Sequence, residues 1–308
     1  MGTNEVAFSA RELPWMKVGT VIDKPVNVEK AIKLAGLDWE VELRDTGYRS
    51  ADGKRWLPYV DRRTIVRTDT DEPFGIASAS DYEIVQNREA FDFVNAINPH
   101  ILAAGPLRKG RHVFMVVKAP EHFGIDVLDG DHHDLYVVLR TSHDCSKAIE
   151  VLIMALRGMC MNQLPLVTFS KQAQQSWSIR HVKTAHEKLE QAQDIIKNLD
   201  GYAKEFSSMA DRLAKIDLEL DEAQKVLETV LDDRPKRAEV ITKVLDLFDH
   251  GDTVGYHKTG WGLVNAVGEY YDHLRTGGSI TPESRFTNAL SGSTKRYINR
   301  TAQLLVRR

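Results

Sequence analysis

Cysteine is almost absent: Cys145 and Cys160 are the only two in a chain of 308 residues. Two are too few for a disulfide framework, and the expectation is a pair of packed thiols in a reducing compartment. Long apolar runs are missing as well, so no stretch of about 18 apolar residues is there to span a bilayer. The opening Met1-Gly2-Thr3-Asn4-Glu5 has neither the basic nor the apolar region of a signal peptide. A soluble, cytoplasmic protein is therefore expected, without contact to a membrane. Neither charge is in excess: 41 Lys and Arg stand against 44 Asp and Glu, a formal net charge of −3. A polyanionic partner must then be argued from a local patch. Neither Gly-x-x-x-x-Gly-Lys-Ser/Thr nor a strand-following Gly-x-Gly-x-x-Gly occurs, which argues against ATP- or dinucleotide-driven chemistry and leaves no cofactor expected.

What the chain does have is 42% hydrophobic residues, enough for one large core or two. Its most ordered stretch is 134–164. Residues 135–141 alternate, with Leu135, Val137 and Leu139 on one face and Tyr136, Val138 and Arg140 on the other, while 148–156 are apolar almost throughout. Joined by the polar turn Ser142-His143-Asp144-Cys145-Ser146, they predict a β-hairpin in the middle of a sheet, its second strand covered on both faces.

Around this hairpin, Asn27 caps a predicted helix at 28–34 that stops at Gly36. Residues 39–43 read as a first strand, Asp52-Gly53 as a turn and 64–67 as the returning strand. A short strand at 83–85 precedes a helix over 88–97 that Asn87 can cap. Residues 101–104 and 112–118 flank the basic loop Gly105-Pro106-Leu107-Arg108-Lys109-Gly110 as a second hairpin. After Pro165 the character changes. Ala185, Leu189, Ala192, Ile196, Leu199, Ala203, Phe206, Ala210 and Leu213 recur at steps of three and four, a heptad stripe that predicts one long helix within 178–215. The stripe can pack inside its own subunit or against a partner. Further helices are expected from Asp221 to 230 and over 236–248, 261–274 and 295–306. The expected fold class is α+β: a bent antiparallel sheet with inserted helices over 1–170, then a helical region over 171–308 with a basic C-terminal tail.

The order of a strand, Ser-His-Asp, a second strand and then Arg157-x-x-Cys160-x-Asn162-x-Leu164 resembles a phage- and plasmid-borne family of unknown function, the one numbered 932. Trp15-Met16-Lys17-Val18-Gly19, Tyr82-Glu83-Ile84-Val85-Gln86-Asn87, Ser178-Ile179-Arg180-His181 and Trp261-Gly262-Leu263-Val264-Asn265-Ala266-Val267 fit the same family. Two positions depart from its pattern. Gly usually follows the His-Asp pair, where this chain has Cys145, and Thr usually follows the Cys-Asn pair, where it has Gln163. The family has no settled activity, so the resemblance identifies the chain without supplying a function.

The densest set of metal-ligand types is Asp129-Gly130-Asp131-His132-His133-Asp134; neighbours in a loop rarely converge on one ion, and a solvated turn is expected there. His143, Asp144, Cys145 and Cys160 contain the ingredients of a Cys–His nucleophile but no local signature of one, so a turn-stabilising role is expected. Basic residues are more suggestive. Arg108, Lys109, Arg111 and Lys118 share one hairpin, near Arg140 and Arg157 if the hairpins are neighbours, and the tail after Glu283 holds Arg285, Lys295, Arg296, Arg300, Arg307 and Arg308 with no carboxylate. Three functions compete: a single-stranded nucleic-acid-binding protein of phage-type recombination that anneals strands as a homo-oligomer, a non-enzymatic interaction module using the helices, and a metal-dependent or cysteine hydrolase. The first is the expectation, because annealing needs a basic groove and assembly rather than a catalytic set.

Overall fold

The structure, a computed structural model, describes residues 17–24, 26–92, 94–95, 100–127, 130–157, 163–164, 166, 176–191, 198–251, 256–277 and 280–307. In chain order the elements are β1 (Thr20–Val21), α1 (Val28–Leu34), β2 (Val41–Arg49), β3 (Trp56–Arg67), β4 (Pro73–Ser78), α2 (Asn87–Asp92), β5 (His100–Leu107), β6 (His112–Lys118) and β7 (Ile125–Val127). They continue with β8 (Asp131–Ser142), β9 (Ile149–Arg157), β10 (Gln163–Leu164), β11 (Ser176–Ile179), α3 (Ala185–Gln191) and α4 (Leu199–Ala214). The chain closes with α5 (Leu220–Val230), α6 (Arg237–His250), α7 (Gly260–Glu269), α8 (Pro282–Ser291) and α9 (Ser293–Val306). The class is α+β, with antiparallel sheets in the first half and helices in the second. No described helix is long and apolar enough to cross a membrane.

The hairpin expected at the centre is there. β8 pairs with β9 from His133↔Arg157 to Arg140↔Glu150, and the main sheet runs β1-β5-β6-β8-β9-β10, with β7 on β8 and β11 on β9. Its two faces are both covered, as the unbroken apolar run of β9 requires. Val137, Leu139, Val151 and Ile153 join Ala31 of α1, Phe206 of α4 and Val264 of α7 in one core cluster, so the sheet and the helical half share a single interior. On the other face Phe114, Val138 and Met154 pack against Phe286 and Leu290 of α8, with the Phe114 and Phe286 rings 4.9 Å apart.

One carboxylate ties these layers together. Asp131, at the start of β8, is 1% exposed; it accepts from Arg157 Nε of β9 at 2.5 Å and from Trp261 Nε1 of α7 at 3.0 Å. His133 packs against the Phe206 and Trp261 rings in the same place, and burial pushes its pKa down to about 4, so it is neutral. The Asp-His-His-Asp run is thus the first residues of a strand rather than a solvated turn; Asp129 lies outside the described residues.

Other expectations change where tertiary hydrogen bonds override local pattern. The sheet is not one bent sheet. β2, β3 and β4 form a second, three-stranded sheet, docked by its base: Trp39 and Phe74 pack against His143, and a Cβ on Gly75 would come within 2.9 Å of Asp144 Cα. Its far end, residues 47–62, projects into solvent as an arm. Residues 83–85 form no strand, because Gln86 closes the edge of β2 with its side-chain amide, accepting from Val41 N–H (3.0 Å) and donating to Val41 C=O (2.9 Å). Ser178-Ile179 opens no helix; Ser176–Ile179 is an edge strand held by β9. The described part of the heptad stretch shows α3 and the 16-residue α4 and no single helix from 178 to 215; Ala192 and Ile196 lie outside the described residues. Leu199, Tyr202, Phe206, Ala210 and Leu213 are buried within their own subunit. The segment 261–274 is α7 followed by a π turn, Tyr270–Leu274. Helix α8 was not foreseen, although Thr281-Pro282 marks its start, with the Thr281 side chain accepting from Ser284 N–H.

Asp131→Asn takes away the negative charge beside the buried Arg157 and is expected to cost about 3–5 kcal/mol. Adding Arg157→Met should recover part of that loss. Urea unfolding measures both, and a loss below about 1 kcal/mol for the single variant would show that this pair does not hold the layers together.

Candidate nucleic-acid interface

The β5–β6 hairpin turns at Arg108–Gly110, and three successive residues there take left-handed backbone: Arg108 (φ 49), Lys109 (φ 58) and Gly110 (φ 89). Two side-chain-bearing residues in that region cost strain, so the surroundings must hold the loop in place. Arg108 N–H donates to Glu283 of α8 (3.0 Å), and Arg111 C=O accepts from His143 N–H (2.8 Å). The tip leaves Arg108 and Lys109 exposed, neither in an ion pair with a described residue, while Arg111 is half-buried. The loop lies beside the base of the arm. A Cβ on Gly110 would sit 3.6 Å from the Trp39 ring and 3.7 Å from Arg67 Nη1.

The other three basic candidates are placed elsewhere. Arg140 is 4% exposed and paired with Glu150, so it neutralises a neighbour inside the sheet and presents no surface. Arg157 is fully buried on Asp131. Lys118, at the far end of β6, pairs with Asp134 at 3.1 Å. The six therefore do not form one patch; Arg108 and Lys109 remain exposed together. The basic tail is also largely spent on structure. Arg300 makes a two-pronged pair with Asp232 (2.7 and 3.0 Å), Arg296 pairs with Asp233, and Arg285 donates to the carbonyls of Tyr271 and Asp272. Lys295 is mostly buried, which pulls its pKa down to about 8. Arg308 lies outside the described residues.

Behind the loop, the turn between β8 and β9 gathers polar side chains from four segments. His143 Nε2–H donates to Asn87 Oδ1 (2.8 Å), and Asn87 Nδ2 donates to Leu37 C=O (2.9 Å), so Asn87 works as a buried bracket rather than as a helix cap. His181 Nε2 lies 3.0 Å from Thr141 Oγ1, and its ring stacks on Tyr82. Burial pulls both histidines down, His143 to about 3 and His181 to about 4, so both are neutral near pH 7. His112 Nε2 lies 2.8 Å from Ser146 Oγ and 3.2 Å from Asp144 Oδ2. Burial opposes the Asp144 carboxylate, but hydrogen bonds from Ser146 outweigh it and hold the group below the usual carboxylate range. Desolvation and the Asp144 charge push the Cys145 thiol up, the opposite of an activated nucleophile. Cys160 and Asn162 lie outside the described residues. Among the described residues no group of three or more His, Cys, Asp or Glu side chains is placed to hold a metal ion.

The motif residues thus meet in two buried nodes at opposite ends of β8 and β9: Tyr82, Asn87, His143 and His181 at one, Arg157 and Trp261 at the other, where Asn265 donates to Trp261 C=O. Their order along the chain is that of one family. The chain belongs to the family described as Domain of unknown function (DUF932). The match covers residues 76–305, about three quarters of the chain. No curated protein and no solved structure matches it. The DUF932 region begins within β4, so the arm formed by β2 and β3 precedes it. In the sequence only the Asp52-Gly53 turn marks that arm, although Tyr48, Trp56 and Tyr59 stand there among Arg49, Lys54 and Arg55.

The departure at Cys145 has a conformational consequence. Its φ is +61, a region that glycine enters freely and other residues at a cost. Cys145 is exposed, so Cys145→Gly loses no packing and should stabilise the protein by roughly 0.5–1 kcal/mol, whereas Cys145→Ala should bring no gain. Thermal unfolding of the two variants separates them, and equal midpoints would contradict the strain.

Proposed function

We propose that this protein binds single-stranded nucleic acid through phosphate contacts at the Arg108-Lys109 loop, as a recombination protein of the strand-annealing type found in phage. One observation carries the reading: two adjacent cations stand exposed on a strained, braced loop with no ion pair to a described residue. Strained backbone persists where the surrounding structure holds it, and it clusters at binding sites. Cations left without a protein partner are free to neutralise phosphates and release counterions. Annealing needs the bases exposed and the backbone held, which such contacts provide without catalysis.

Assembly into a homo-oligomer, which would extend the groove, belongs to the same proposal, as does action in the cytoplasm of a bacterial host. It does not use the α4 stripe, whose apolar residues are buried inside the subunit. The helical half serves as the support that fixes the sheet.

Fluorescence anisotropy with labelled oligothymidylate across salt concentrations tests this directly. Binding by the parent should weaken steeply with salt, and Arg108→Ala with Lys109→Ala should flatten log K against log salt by up to about 1.4, at ~0.7 per single-strand phosphate contact. Alanine meets the same left-handed penalty as the residues it replaces, so the loop should keep its shape. A folded double variant with the parent's slope, or a parent that binds nothing at low salt, would contradict the reading.

A further inference from the structure

Among the described residues, the arm exposes large side chains for which the interior gives no reason. Trp56 is 54% exposed, Tyr48 49%, Tyr59 47% and Val60 83%, although buried aromatics normally carry much of a core. The rings lie on both faces of the ribbon: the register pairs Tyr48 with Leu57, which puts Tyr48 and Tyr59 on one face, and Arg49 with Trp56, which puts the indole on the other. The Tyr48 and Tyr59 centroids lie 5.3 Å apart across the β2–β3 pair, and Trp56 lies over Gly47, where a Cβ would come within 2.8 Å of the indole. Glycine at 47 is what seats the indole on the neighbouring strand.

Charge on the arm has the opposite sign to that of the whole. Residues 47–63 hold five cations against two carboxylates, in a chain of net charge −3. Arg49, Lys54 and Arg55 at its end make no ion pair with a described residue; Arg62 and Arg63, nearer the base, pair with Asp61 and Asp45. Exposed rings set among unpaired cations are what unpaired nucleotides recognise: each base offers a face to stack on and each phosphate a charge to neutralise. A duplex hides the first. An apolar protein surface would leave these cations buried without carboxylates.

We infer that the β2–β3 arm is a base-stacking ribbon for single-stranded nucleic acid, with Tyr48 and Tyr59 contacting bases on one face, Trp56 on the other, and Arg49, Lys54 and Arg55 contacting phosphates. The inference rests on the reading above and adds a site to it. The loop at Arg108 lies beside the base of the arm, so a strand that leaves the loop phosphates runs out along the arm.

The test compares a labelled oligothymidylate of about 30 nucleotides with a duplex of the same length, using the full chain. The parent should prefer the single strand. Trp56→Ala with Tyr59→Ala should weaken that binding by roughly tenfold or more, while leaving the salt slope and the duplex affinity unchanged. Trp56→Phe alone should keep most of the affinity, because a ring remains to stack. Both side chains are exposed, so the variants should unfold at the parent's midpoint. If the Trp56/Tyr59 variant binds oligothymidylate as the parent does while the Arg108/Lys109 variant is weakened, the arm inference is wrong and the loop reading stands. If the variant instead lowers the molar mass seen by light scattering with binding unchanged, the arm joins copies of the chain, and the inference is wrong. No binding by the parent at low salt overturns both.

Discussion

Asp131 carries its charge at 1% exposure, between Arg157 from the adjacent strand and Trp261 from the helical half. A carboxylate and a guanidinium each cost several kcal/mol to take out of water, a cost that their close pairing offsets. The requirement for that match fixes three things together: the register of β8 on β9, the position of α7 against the sheet, and the close packing of Tyr256 and Trp261 around the pair. A hydrophobic replacement of similar volume could stabilise as well, but it would not specify one arrangement so tightly. At the opposite end of the same strands, Asn87 and His143 play the corresponding role with neutral groups, bracing the turn on which the second sheet and the basic loop lean.

Local pattern was enough wherever the cause of an element is local. The helix at 28–34 has the bounds expected and the Asn27 cap expected, since a side chain three residues from an N–H supplies the reason for both. Alternation placed Leu135, Val137 and Leu139 on one face of β8, and the apolar run of β9 announced burial on both sides. What could not be read depends on partners distant in sequence. Residues 176–179 look like the approach to a helix until β9 offers an unpaired edge. Arg140 and Arg157 look like surface cations until Glu150 and Asp131 are brought beside them.

Of the interface, the loop was legible because glycines and adjacent cations mark it; its left-handed backbone was not. The arm is visible in composition, but polar residues around the Asp52-Gly53 turn resemble an ordinary connection between strands. The family motifs misled in a different way. They suggest chemistry by containing His, Asp, Cys and Arg, yet in the folded chain Asn87, His143, Arg157, His181 and Asn265 are buried and spent on hydrogen bonds within the fold. Burial holds His133, His143 and His181 neutral. The described motif residues build the scaffold, and the proposed partner contacts lie on the loop and the arm.

That division is the central claim, and hydrogen–deuterium exchange of the full chain with and without oligothymidylate tests it most directly. The account predicts slowed exchange at 47–63 and around 108–111, with the strands at 131–142 and 149–157 unchanged because they are already protected in the core. Protection confined instead to the groove between α4 and β7, lined by Lys204, Ser207, Arg212 and His122, would contradict it.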